Sequence, residues 1–165
     1  GKALHSLQLQ TYRHLEVLLV DAAGTGLPTL PPEAQGLAVR VVSQGQRLQR
    51  PRAANVGLQA ATGEYLLFLD ADDWLYPDHI AKLVQCLRQS STAQAVHTAV
   101  ECVNDQGEPT GEVFDFAYAP RELCYGNFMP IHAVLFARTL VQAGCLLDES
   151  FDLYEIDLSD ENAAE

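Results

Sequence analysis

The sequence predicts an α/β fold with a mostly parallel central sheet, and three features lead to this prediction. In the first 90 residues, apolar runs typical of buried strands alternate with segments whose apolar residues recur at helical spacing. Turn-forming residues separate these segments. One strand ends directly in a run of carboxylates, at Asp70. Because strands and helices that alternate along a chain build parallel sheets through crossover connections, we expect helices on the faces of one sheet.

The elements of the first half follow one another in a regular order. Short apolar runs predict three strands, at residues 15–20, 37–42 and 65–69. Helical spacing of apolar residues predicts helices at residues 3–10 and 77–90, and Pro51 with Gly63 predicts a third helix between them, at 51–61. The last two helices open at Pro51 and Pro77, because proline is tolerated at the first helical position, where its missing N–H group has no intrahelical partner.

The second half predicts antiparallel pairing. Residues 95–103 alternate as in a strand, a turn follows at 104–107, and residues 112–116 return as a hairpin. A further strand at 131–137 leads into a short helix that ends near Gly144. At 165 residues the chain is expected to form a single domain covering residues 1–165.

Composition narrows the classes of function. The chain is 48% hydrophobic and 19% charged, as in soluble globular proteins, and its net charge is -12. Such a charge offers no basic surface for phosphates, so we expect no nucleic-acid partner. No leader and no apolar run of about 18 residues is recognisable, which leads us to expect a cytoplasmic protein. The four cysteines lack the spacing of zinc sites, and we expect reduced, packed thiols.

The most informative segment is the strand that ends in three carboxylates, Asp70, Asp72 and Asp73. Acids at the C-terminal end of a buried strand lie where an open α/β sheet binds its ligands. Carboxylates this close repel one another unless they share a cation, and hard oxygen ligands suit Mg²⁺ or Mn²⁺. The pattern therefore predicts a metal site for a phosphate-bearing donor. The alternative is a loop whose acids only cap the following helix.

Four segments together resemble glycosyltransferase family 2, in the order and spacing of that family: residues 7–21, 52–65, 68–73 and 151–155. The resemblance implies a GT-A fold, which is a three-layer αβα sandwich. It also implies a metal-dependent, inverting transfer of sugar from a nucleotide-diphosphate donor, with UDP as the expected nucleotide, to an acceptor hydroxyl. The acceptor is a glycan, a lipid or a protein.

The resemblance also assigns residues to the site. Asp70 and Asp72 match the family's D-x-D, which holds Mn²⁺ or Mg²⁺ on the donor diphosphate. Four further residues match positions that bind the donor: Asp21, Arg52, Asn55 and Asp73. His132 is either a substrate contact or an ordinary, partly buried histidine.

The chain departs from the family at three places. The family's first strand lies in the middle of its sheet and should precede Ala3, so we expect a domain that is incomplete at both ends and self-associates through open sheet edges. Ala22 replaces an acid that contacts the nucleotide base. Ile156 stands at the position of the catalytic base, which leaves Glu155 and Asp157 as the candidate catalytic carboxylates.

These observations leave two main hypotheses. The first is a glycosyltransferase domain, and the second is a non-catalytic module that binds a nucleotide-sugar or another protein. A nucleotidyltransferase-like enzyme is a third possibility, although it needs a basic, glycine-rich loop that we do not find. Because of Ile156, we expect this chain to bind its donor without transferring sugar as it stands.

Overall fold

The computed structural model describes residues 1–26, 29–104, 106–119, 121 and 129–150, and these residues form an α/β fold. The helices are α1 Lys2–Gln8, α2 Arg50–Ala60, α3 His79–Gln89 and α4 Arg138–Gln142. The strands are β1 Glu16–Asp21, β2 Ala38–Ser43, β3 Tyr65–Leu67, β4 Ala95–His97, β5 Val100–Val103, β6 Pro109–Phe114 and β7 Val134–Ala137. Short 3₁₀ turns lie at Pro32–Ala34 and Ile131–Ala133. Each helix and strand lies within a few residues of its predicted position.

The sheet arrangement corrects part of the prediction. Within the described residues the strands form three small sheets, and only β1 and β2 pair in parallel. Strand β7 lies between β3 and β4 and is antiparallel to both, while β5 and β6 form a separate antiparallel pair. The prediction of one mostly parallel sheet is therefore met only in part, because a strand from late in the chain inserts between two earlier ones. Nothing in local spacing specifies such an insertion.

Helix α2 is held closely against the parallel pair. Pro51 lies in its first turn, and Asn55 and Leu58 are its other buried residues. A Cβ atom built on Gly57 would lie 3.1 Å from Cγ2 of Val20 in β1, so the helix approaches the strand where a side chain is missing. The predicted helix at 51–61 is thus confirmed, and its contact at Gly57 lies against Val20, one residue before the end of β1.

The main apolar cluster forms around α3. Its residues Ile80, Leu83, Val84 and Leu87 recur at helical spacing and are all buried. They pack with Leu75 before the helix and Leu135 in β7. Partly buried side chains complete the cluster: Leu7, Tyr12, Leu15, Tyr65, Leu67, Leu69 and Val96. This cluster ties α1, α3 and the antiparallel sheet together.

A buried glutamine joins the end of α1 to the start of α3. Gln10 has no exposed surface, and its side-chain oxygen accepts the N–H of Ile80 at 3.2 Å. Its amide nitrogen donates to the carbonyl of Tyr76 at 2.8 Å. Burying an amide is favourable only when its polar atoms are paired, as they are here. Gln10, near the N-terminus, therefore holds the segment that enters α3 in place.

The cysteines are free thiols wherever the structure describes them, as the sequence predicts. The expectation that they are packed is wrong for Cys86 and Cys145, which are exposed. Cys124 lies outside the described residues. In the described part of the chain, no helix has both the length and the apolar character needed to cross a membrane.

Candidate functional site

The acidic loop, residues 70–74, connects β3 to the segment that enters α3. Leu69 packs against the main apolar cluster before the loop, and Leu75 follows it with 4% of its surface exposed. Within the loop, the N–H of Asp73 donates to the carbonyl of Asp70 at 3.3 Å. The loop is thus a short polar turn after a strand, and it is held on each side by a leucine that packs in the main apolar cluster.

The three carboxylates of this loop have different partners. Asp70 is exposed and lies 3.9 Å from a guanidinium nitrogen of Arg50, which is also exposed. Asp73 lies 2.9 Å from Nδ1 of His132. Among the described residues, the exposed carboxylate of Asp72 makes no hydrogen bond or ion pair. Asp70 and Asp73 therefore have charged or polar partners and Asp72 has none among the described residues, a difference that the sequence does not show.

The partner of Asp73 comes from a distant part of the chain. His132 lies in the 3₁₀ turn before β7, and 15% of its side chain is exposed. His79, at the start of α3, lies beside it, and the pKa of His79 is lowered, chiefly by burial and then by the neighbouring His132. His132 is therefore partly buried, and its Nδ1 faces Asp73 of the acidic loop.

The candidate metal ligands fit a cation only in part. Asp70 and Asp72 supply exposed carboxylate oxygens, the hard ligands that Mg²⁺ and Mn²⁺ prefer. No group of three or more histidine, cysteine, aspartate or glutamate side chains is arranged to hold a metal within the described ranges. A divalent cation at these two acids would need further oxygen ligands, such as those of a diphosphate.

Asp21 ends β1 and organises the loop that follows it. The residue is 6% exposed, and its carboxylate oxygens accept the N–H groups of Gly24 at 3.0 Å and Gly26 at 2.7 Å. The hydroxyl of Ser43 donates to the same carboxylate at 2.9 Å. These donors hold the pKa of Asp21 below its usual range, with the Gly26 N–H making the largest contribution. The carboxylate is thus kept ionised by its own loop.

Three segments meet around the first turn of α2. The N–H of Leu48 donates to the carbonyl of Ala22, in the Asp21 loop, at 2.8 Å. Two residues further on, Arg50 lies next to Asp70 of the acidic loop. The structure therefore brings the end of β1, the start of α2 and the end of β3 to one region, as expected for the C-terminal ends of strands in an α/β sheet.

The two predicted donor ligands of α2 differ in their surroundings. Arg52 is exposed and makes no ion pair with any residue that the structure describes. Asn55 is 3% exposed, and its amide is bound to the backbone of Leu147 and the carboxylate of Glu149. Arg52 is free to meet an anion, whereas Asn55 is already engaged.

The predicted catalytic residues are not described by the structure, and one residue of the site was not predicted. Glu155 and Asp157, with Ile156 between them, lie outside the described residues. Sequence reasoning did not single out Ser43, yet it is the direct neighbour of Asp21 in the β1–β2 register, so the parallel pairing would have revealed it. The pairing of His132 with Asp73 gives no signal in local spacing.

Comparison with known proteins identifies a family. The model of a family described as "Glycosyl transferase family 2" matches residues 1–138. An uncharacterized glycosyltransferase of Haemophilus influenzae is 27% identical over 119 residues, which are 72% of this chain and 38% of that protein. The uncharacterized glycosyltransferase YwdF of Bacillus subtilis is 28% identical over 101 residues, 61% of this chain and 37% of its own length.

A longer match extends over most of the chain. The O-antigen biosynthesis protein RfbC of Myxococcus xanthus is 28% identical over 155 residues, which are 92% of this chain and 12% of that protein. The chain thus spans less than about two fifths of the length of these curated relatives.

Proposed function

The chain belongs to glycosyltransferase family 2, and we propose that it forms the donor-binding part of a GT-A domain that transfers sugar from a nucleoside diphosphate to an acceptor hydroxyl. One observation carries this proposal. The acidic loop presents the exposed carboxylate of Asp72, which has no partner among the described residues, beside Asp70 at the strand end where α/β sheets bind ligands. The acidic net charge of -12 favours a metal-bridged phosphate over direct binding to a basic surface.

Asp70 and Asp72 are the residues that would hold Mn²⁺ or Mg²⁺. The contact between Asp70 and Arg50 is long and exposed, so it is worth little and is readily given up. When bound, a divalent cation stabilises the charge that develops on the departing nucleoside diphosphate. Because two carboxylates do not fill its coordination shell, we expect metal and nucleotide to bind together.

The remaining donor contacts are proposed around the same region. Arg52 offers a guanidinium that pairs with no residue in the described part of the chain, and such a group suits a diphosphate oxygen. Asp21 holds the loop after β1 in a fixed shape, and Asp73 is fixed by His132 on the acidic loop. These residues would line the donor pocket with little rearrangement. Preformed contacts of this kind reduce the ordering that binding requires.

The acceptor side rests on the sequence alone. Inverting transfer in a single displacement needs a carboxylate that takes the proton of the acceptor hydroxyl. Glu155 and Asp157 are the proposed carboxylates, on either side of Ile156. Ile156 also favours the second candidate function, a module that binds a nucleotide-sugar without transferring it.

Calorimetric titration of the protein with UDP and Mn²⁺ tests the proposal. We expect UDP to bind only with Mn²⁺ present, and Asp72→Asn to weaken that binding at least about tenfold, or ~1.4 kcal/mol. Asp78→Asn is the matched control, because Asp78 follows the same loop but is paired with Lys82 at 2.6 Å. If Asp72→Asn binds UDP and Mn²⁺ as the unchanged protein does, the metal assignment is wrong.

Radiolabelled transfer separates the two candidate functions. If the protein binds UDP with Mn²⁺ and the label stays on the donor whichever acceptor is added, it is the binding module. Label moved to an acceptor identifies the transferase. Failure of UDP to bind under any condition contradicts both.

A further inference from the structure

The buried side-chain amide of Asn55, in α2, makes its hydrogen bonds to residues that lie far from it in the sequence. The side-chain nitrogen of Asn55 donates to the carbonyl of Leu147 at 2.8 Å and to the carboxylate of Glu149 at 3.0 Å. Its oxygen accepts the N–H of Leu147 at 2.9 Å. The side chain therefore pairs with both backbone groups of one residue, as a neighbouring strand would.

These three bonds leave no donor for a ligand. An asparagine amide has two N–H donors and one carbonyl oxygen, and both donors of Asn55 are used. Only 3% of the residue is exposed, so water does not replace a lost partner easily. A donor sugar or nucleotide could gain an N–H bond from Asn55 only by displacing Leu147 or Glu149. Such binding would exchange the bonds of Asn55 for new ones and would release residues 147–149 from α2.

This contact joins α2 to residues 147–149, near the end of the described chain. Helix α2 is fixed on β1 at Gly57, and its first residue, Arg50, reaches the acidic loop. Residues 147–149 follow α4 and come shortly before Glu155 in the sequence. The Asn55 contact therefore ties this late segment to the helix that carries Arg52.

We propose that Asn55 is a positioning residue, which fixes residues 147–149 on α2 and does not itself bind the donor. The functional part of this inference rests on the proposed transferase. Only in a transferase would anchoring residues 147–149 help to position the acceptor side of the site. The structural part, that Asn55 orders this segment, stands independently of the activity.

Hydrogen exchange and nucleotide binding, measured on the same variants, test the inference. In Asn55→Ala and Asn55→Asp the amide of Leu147 should exchange at least about tenfold faster than in the unchanged protein, because its partner is lost or is repelled by Glu149. Affinity for UDP with Mn²⁺ should stay within about twofold. If the unchanged protein turns over UDP-glucose, kcat should fall in both variants while the donor KM stays unchanged.

Two further variants serve as controls. Gln59→Ala changes an exposed position of the same helix and should alter none of the exchange at Leu147, the UDP affinity and the turnover. Glu149→Gln keeps an acceptor oxygen for Asn55 and should retain the protection of Leu147.

The outcomes separate the inference from the proposed function. Unchanged exchange at Leu147 in Asn55→Ala overturns the positioning role. So does a tenfold loss of UDP affinity with exchange unaltered, since that result makes Asn55 a donor ligand. If the unchanged protein does not bind UDP, the proposed function fails, and the exchange comparison still decides whether Asn55 fixes the segment.

Discussion

Asp21 illustrates how a single carboxylate links the fold to the site. Its oxygens accept hydrogen bonds from Gly24, Gly26 and Ser43, so the ionised form is preferred in the folded protein. The pKa of Asp21 is accordingly lowered on folding, chiefly by the Gly26 N–H. The charged form of this group therefore stabilises the loop after β1.

The lowered pKa of Asp21 predicts an acid-sensitive contribution to stability. A carboxyl whose folded pKa lies below its unfolded value stabilises the fold fully above the unfolded value, which is about 3.9. That contribution is lost as the pH falls through the lower folded pKa. We expect Asp21→Asn to unfold at lower denaturant concentration at pH 7 and to lose less further stability between about pH 4 and pH 2 than the unchanged protein.

Urea unfolding at several pH values measures this effect. Ser43→Ala is a useful companion, because it removes one donor and leaves the carboxylate, so it should keep most of the acid dependence. Parallel pH curves for Asp21→Asn and the unchanged protein would contradict the role given to Asp21.

Single residues also show where sequence reasoning stops. The position of Asp70, Asp72 and Asp73 after a strand was predictable from the sequence. Their different environments were not, because His132 and Arg50 reach them from other parts of the chain. Asn55 was assigned to the donor from the family pattern, whereas its burial against Leu147 becomes visible only when α2 and the late segment are placed together.

At the scale of elements, the loop after β1 depends on close backbone approach. Gly24 has φ +71°, a conformation that favours glycine, and a Cβ atom there would overlap the backbone carbonyl carbon of Gln46. Gly26 has φ +78°, but a Cβ atom on it would meet no described atom within 4 Å. The two glycines share the backbone requirement and differ in the space around them.

This difference predicts unequal effects of the same substitution. Gly26→Ala should cost about 1 kcal/mol, because alanine is strained at positive φ. Gly24→Ala should cost at least about 2 kcal/mol more, because the loop must also move away from Gln46. Denaturant unfolding of both variants measures the gap. Equal losses of stability would show that residues 22–26 do not pack on the segment before α2.

The elements themselves were largely predictable, for a physical reason. Helix α3 places four apolar residues on one face, and the prolines at 51 and 77 mark where helices begin or are about to begin. Such signals are local, so they can be recognised in the sequence without knowledge of the fold. The predicted strand at 95–103 is in fact divided, because its first part, β4, pairs with β7 while its second part, β5, pairs with β6 in a different sheet. Strand β7 is remote in sequence, and no local pattern reveals this change of partner.

At the scale of the whole molecule, the pairing of strands leaves open edges. Strand β1 pairs only with β2, and β3 pairs only with β7, among the strands that the structure describes. The apolar centre of β1, from Val17 to Val20, contrasts with β2, whose centre carries the charged Arg40. Charged side chains discourage edge-to-edge pairing, so β1 is the edge more prone to associate.

The open edge of β1 predicts self-association, which a charged residue on that strand should reduce. Sedimentation velocity of the unchanged protein should show a sedimentation coefficient that rises with concentration. Leu19→Lys should weaken the association about tenfold, or ~1.4 kcal/mol, because a new strand would bury the added charge. Val41→Lys is the matched control, since Val41 is the register partner of Leu19 but lies on β2. The same weakening in both variants would place the contact elsewhere, and a protein that stays monomeric at every concentration would show that the edge of β1 does not pair.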